Sequence, residues 1–173
     1  MTNEPSQLGE QGKRAFEEKK YEEAAALFAQ AAEGFTAGRA GIMAAEMKNN
    51  QSVALFQAGR AQEALDAAFG TEAVFAGAND PKRQAIALGN QAAALEALAR
   101  SDEAIERYER SAELFRDAGE GDMRAVVMKS AAAIKLKKGR VTDSAFKMMG
   151  ALEAGDNPSI FERILKFFLR FIR

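Results

Sequence analysis

The sequence predicts an all-α fold, an α-solenoid of four antiparallel helical hairpins followed by a C-terminal amphipathic helix. Three observations predict it. The chain aligns with itself at a shift of forty residues, the signature of a stacked-repeat architecture. Apolar residues recur at three- and four-residue spacing, and no segment alternates in the manner of a strand. Proline, with 3 residues in 173, is absent from the interior of every helical stretch.

The repeat is anchored by small residues. Gly12, Ser52, Ala92 and Ala132 form one column; Ala24, Ala64, Ala104 and Ser144 form a second; Ala31, Thr71, Ser111 and Ala151 form a third. Two helices approach to about 8 Å only where the side chains at the crossing are small. Larger residues keep the same beat: Phe28, Tyr108 and Met148 share a column interrupted by Ala68, and Phe35, Phe75 and Phe115 share another. One hairpin cannot bury its own apolar face, so neighbouring hairpins must stack.

After a disordered stretch at 1–5, the first hairpin covers 6–38, with helices at 6–18 and 22–37 meeting at Lys19-Lys20. The second covers 41–78, with helices at 41–58 and 61–77 around Gly59-Arg60. The third, 81–119, opens with Asp80 as N-cap and Pro81 at the first helical position. Its helices at 81–99 and 101–118 meet at Ala99-Arg100-Ser101, where Ser101 is expected to cap the second. The fourth, 122–155, has helices at 122–138 and 141–154 around Gly139-Arg140, with Gly suited to a left-handed C′ position. The methionines at 43, 47, 123, 128, 148 and 149 read as core filling.

Composition narrows the function. Apolar residues make up 47% and charged residues 28%, as in ordinary folded proteins. His, Cys and Trp are absent, which removes imidazole bases, thiolate nucleophiles, disulfides and the usual zinc ligands. A catalytic group would have to come from Asp, Glu, Lys, Ser or Tyr, and no paired-carboxylate site is visible. The expectation is no enzyme, no cofactor and no metal. Gly119-Glu120-Gly121-Asp122 has neither the Lys-Ser/Thr ending of a phosphate loop nor the ligand spacing of a calcium loop, and reads as a turn. With 24 basic and 25 acidic residues the net charge is −1, without the basic excess that binding to nucleic acid requires. The first ten residues carry no basic-then-apolar leader and no stretch is long and apolar enough to cross a bilayer, so a cytoplasmic location is expected.

The three linked small positions, with an aromatic four residues after the second, resemble the tetratricopeptide-repeat family over residues 6–154. The forty-residue period resembles its long-repeat branch, which includes the Leu-Gly-Asn repeat adaptors and kinesin light chains. Leu88-Gly89-Asn90-Gln91-Ala92-Ala93-Ala94-Leu95 followed by Ser101-Asp102-Glu103-Ala104-Ile105-Glu106-Arg107-Tyr108 is the best match. The family's Trp and closing Pro are missing, and the fourth repeat has Ser144 and Met148 in place of Ala and an aromatic. The resemblance implies a right-handed solenoid serving as a protein–protein adaptor, with a peptide in a concave groove lined by the first helix of each repeat. It also implies that Asn50 and Asn90, two residues before the first small position, bond the peptide backbone; the competing reading is an Asn bonding locally or to water. Lys48, Arg83, Arg124 and Lys129 fall on first helices and suit an acidic peptide or a C-terminal carboxylate, although a solvated outer face accounts for most such charges.

The last sixteen residues, 158–173, leave the repeat. Ser159 and Glu162 match a capping box. Ile160, Phe161, Ile164, Leu165, Phe167, Phe168, Leu169, Phe171 and Ile172 fill one helical face, and four basic side chains and Glu162 the other. Three readings stand: a cap over the end of the solenoid, contact of Phe161, Leu165, Phe168, Phe171 and Ile172 with a membrane surface, or association with a partner or a second copy.

Overall fold

The computed structural model describes residues 4–153, with side chains described from 4 to 140. The chain divides into two compact units, Met1–Ile134 and Lys135–Arg173. The described residues are helical throughout, without a strand: α1 (Pro5–Glu17), α2 (Tyr21–Ala37), α3 (Gly41–Gln57), α4 (Ala61–Ala68), α5 (Thr71–Gly77), α6 (Pro81–Ala97), α7 (Ser101–Asp117) and α8 (Gly121–Glu153). In the first unit α2 packs on α1 and α3, α6 packs on α7, and α4 and α5 both pack between α3 and α6.

The helices end on a twenty-residue beat. Lys19, Arg39, Gly59, Asn79, Ala99 and Gly119 are the left-handed residues that follow α1, α2, α3, α5, α6 and α7. At each, the backbone N–H of the next residue returns to a carbonyl five positions back, as from Lys20 to Ala15 at 2.9 Å and from Glu120 to Phe115 at 2.8 Å. The left-handed residue itself donates three positions back, which together make a Schellman motif. Glycine occupies only two of these six positions, so the motif is set by packing on either side of the turn rather than by the turn residue.

The small columns lie at the helix crossings. Ala24, Ala64, Ala104, Ala31, Ser111, Ser52 and Ala92 are each at most 1% exposed. A Cβ at Gly12 would stand 2.8 Å from the Phe28 ring, which explains why the largest residue in one column faces the smallest in another. Phe28, Tyr108, Phe75 and Phe115 fill the flanks.

Several boundaries differ from the sequence expectation. Pro5 is already the first residue of α1. Ser101 begins α7 without capping it, because Arg100 takes the N-cap position. Asp80 does cap α6, its Oδ1 accepting the Arg83 N–H at 2.9 Å. Of the methionines with described side chains, Met47 is core, whereas Met43, Met123 and Met128 are exposed. The helix expected at 61–77 is broken at Phe69-Gly70, with Gly70 left-handed at φ +82°. This is the repeat in which Ala68 replaces the aromatic, and the adjacent Phe69 is turned out, 68% exposed. The turn expected at Gly139-Arg140 is not made: α8 runs unbroken from Gly121 to Glu153. The helix expected at 158–173 lies outside the described residues.

Candidate functional site

Asn50 sits half-buried on α3, one side of a cleft of about 240 Å³ lined by Lys13, Phe16, Glu17, Phe28, Asn50 and Val53. The lining is mainly aromatic and aliphatic, and its polar rim is Asn50, Lys13 and Glu17. Lys13 is held by Glu10 one turn earlier at 2.7 Å. The amide of Asn50 has no described hydrogen bond to the chain, and so keeps both a donor and an acceptor for a ligand.

Asn90 is placed differently. Its Nδ2 donates to Asn49 Oδ1 at 3.4 Å, and Asn49, 6% exposed, also accepts from Thr71 Oγ1 at 3.4 Å. The single hydroxyl proton of Thr71 is shared with the Ala68 carbonyl, the shorter of its two contacts at 2.7 Å. The fully buried Gln91 donates to that carbonyl at 3.0 Å and to Glu72 Oε2 at 2.6 Å. Asn49, Thr71, Gln91 and Glu72 therefore form a polar seam that satisfies the backbone where α4 stops and α5 begins. Sequence reasoning did not single out Asn49 or Gln91. The signal available was Ala68 interrupting its column beside Phe69-Gly70.

The four basic candidates do not share one environment. Arg83 is engaged within the fold: its Nε donates to Asp80 Oδ2 at 2.6 Å, its Nη1 to Glu46 Oε2 at 3.3 Å, and its guanidinium lies 5.5 Å from the centre of the Phe75 ring. The Arg83 backbone N–H and guanidinium hold the Asp80 carboxyl below its usual range. Lys48 and Lys129 are exposed, and Arg124 is half-buried. Asn50 alone of the six candidates borders the apolar cleft.

A second cleft, of about 480 Å³, opens between α2 and α4 over α3. Its floor is Ala25, Ala26, Ala29, Leu55 and Ala67, and its rim Glu22, Arg60, Glu63 and Asp66. Arg60 is bound to Glu63 by two hydrogen bonds. Farther along, the hydroxyl of Tyr108 donates to Glu96 Oε2 at 3.0 Å. Burial, reinforced by that carboxylate, pushes the Tyr108 hydroxyl up to about 12.

Among the described residues no cluster of three His, Cys, Asp or Glu side chains is arranged to hold a metal ion. None of the described helices is long and apolar enough to cross a membrane. The tail residues Phe161, Leu165, Phe168, Phe171 and Ile172 lie outside the described residues. No protein-family model matches the chain, and no curated protein is significantly similar to it.

Proposed function

We propose that the chain is a tetratricopeptide-like right-handed solenoid of helical hairpins that acts as a non-catalytic protein–protein adaptor. Its ligand is an extended peptide or a helix lying along the first helices of the repeats. The observation that carries this reading is the cleft between α1, α2 and α3: an apolar pocket with one uncommitted, half-buried amide at its edge. Phe16, Phe28 and Val53 suit an apolar side chain, and the Asn50 amide suits the peptide bond beside it, whose donor and acceptor it can meet together. Lys13, the basic group on the rim of the cleft, favours an acidic neighbour in the ligand, whereas exposed Lys48 stands two residues before Asn50 on a different face of α3. Asn90 and Arg83 are left out of the ligand contacts, since Asn90 is engaged with Asn49 and Arg83 with Glu46 and Asp80.

An array of short peptides, each with a central apolar residue and acidic flanks, tests the reading against the full chain. For any peptide that binds, Asn50→Ala and Val53→Arg are expected to weaken binding fivefold or more while the melting midpoint stays within a degree or two. Binding that ignores both substitutions rules the cleft out as the site. A second reading rests on the charge segregation of residues 158–173: attachment to a membrane surface, with the repeats facing the cytoplasm. Co-sedimentation with anionic vesicles that weakens as salt is added would favour it.

A further inference from the structure

The forty-residue register allows α8 to be compared position by position with α6 and α3. On one stripe the three helices agree. Val127, Ala131 and Ile134 are buried, as are Ala87, Gln91 and Ala94 of α6 and Met47 and Ala54 of α3. On the neighbouring stripe they diverge. Ala85, Leu88 and Ala92 of α6 are at most 3% exposed, and Ala45 and Ser52 of α3 likewise, although Lys48, the α3 residue in register with Leu88, is exposed. Their counterparts Ala125, Met128 and Ala132 of α8 are exposed, Met128 by 49%.

The covered stripe of α6 is the one that meets α7: Ser111 Oγ donates to the Ala85 carbonyl at 2.7 Å, and α6 and α7 pack along their length. In the first repeat the same geometry sets Gly12 against Phe28. The stripe on α8 is thus an apolar face shaped for a following helix and left without one among the described residues. The sequence carries that helix. Residues 141–153 continue the columns of α7, with Ser144 at the place of Ala104, Met148 at that of Tyr108 and Ala151 at that of Ser111. Gly139 falls on the twenty-residue beat of left-handed turns that ends at Gly119. α8 nevertheless passes through Gly139 as unbroken helix, and a continuous helix cannot double back to cover its own face.

We propose that the bare face of α8 is a self-association surface, occupied by residues 141–153 of a second copy of this chain. Each copy offers one uncovered face and one helix segment with the register to cover it. A reciprocal exchange closes a two-fold dimer and leaves neither element over. Gly139, where an added Cβ would meet nothing within 4 Å, lies between the two exchanged parts.

The chain has no cysteine, so introduced thiols report cleanly. Ala132→Cys with Met148→Cys, at the positions equivalent to the Gly12–Phe28 contact, is oxidised with copper phenanthroline in the full chain. Light scattering should give a dimer for the unsubstituted chain, and the double variant should form a disulfide between chains, seen as a covalent dimer that dithiothreitol releases. Met128→Glu with Ala132→Glu, on side chains already exposed, should raise the dimer dissociation constant at least tenfold with unchanged helicity. A disulfide confined to monomers would overturn the proposal, because each chain would then cover its own face. A monomer without any cross-link would overturn it too, as would a dimer indifferent to the two glutamates.

Discussion

The side-chain amide of Gln91 donates at once to the carbonyl of Ala68 and to the carboxylate of Glu72, at 3.0 and 2.6 Å, from a position that is 1% exposed. It bridges the middle of α6 to the break between α4 and α5. Gln91→Leu keeps the volume and removes both donors, leaving Thr71 as the partner of the Ala68 carbonyl. A loss of about 1–3 kcal/mol is expected. Urea unfolding measures it, and an unchanged midpoint would show that the break is held by packing alone.

Ala104 lies with no exposed surface at the crossing of α7 and α6. Ala104→Leu inserts three carbons where the register leaves room for one, and should cost about 1–3 kcal/mol through displaced neighbours. Thermal melting of the variant checks this. A melting point equal to that of the parent chain would mean that the crossing is elsewhere.

The left-handed turns give a pair of opposite expectations. Ala99, at φ +58°, has a conformation that costs a side-chain-bearing residue about 1–2 kcal/mol. Ala99→Gly should therefore stabilise by about 0.5–1 kcal/mol once the entropy of glycine is deducted. Gly59, at φ +77°, has open space around it, so Gly59→Ala should destabilise by a similar amount through the backbone alone. If both changes shift the urea midpoint in the same direction, backbone strain does not govern these turns.

Tyr108 makes stability fall at alkaline pH. Its hydroxyl, buried beside Glu96, has a folded-state pKa of about 12, above the ordinary value near 10. Folding therefore favours the protonated phenol, and this contribution is complete below pH 10 and is lost as pH rises from 10 towards 12. Tyr108→Phe removes that slope. Stability measured in steps across pH 9 to 12 should decline less steeply in the variant, and identical slopes would refute the assignment.

What the sequence by itself determined is the part of the protein that local and periodic interactions control. Helix after helix is written in apolar spacing, and the columns headed by Gly12, Ala24 and Ala31 mark the crossings because only small side chains allow backbones so close. The Asp80-Pro81 start is legible because an N-cap acts on the next three residues and needs nothing distant. Of the candidate site, the sequence indicated Asn50 at the edge of the cleft, since its column places it on the open side of a first helix. The tertiary structure alone decided the rest. Arg83 and Asn90 share the spacing of residues free to meet a ligand, yet Glu46 and Asn49, thirty-seven and forty-one residues earlier, engage them. The break at Phe69-Gly70 is made tolerable by Gln91, which is remote in sequence. At Gly139 the local turn signal is as good as at Gly59, and the helix continues. A left-handed turn is kept only when the helices on either side gain a packed face from it, and that gain is settled between elements, not within ten residues of chain.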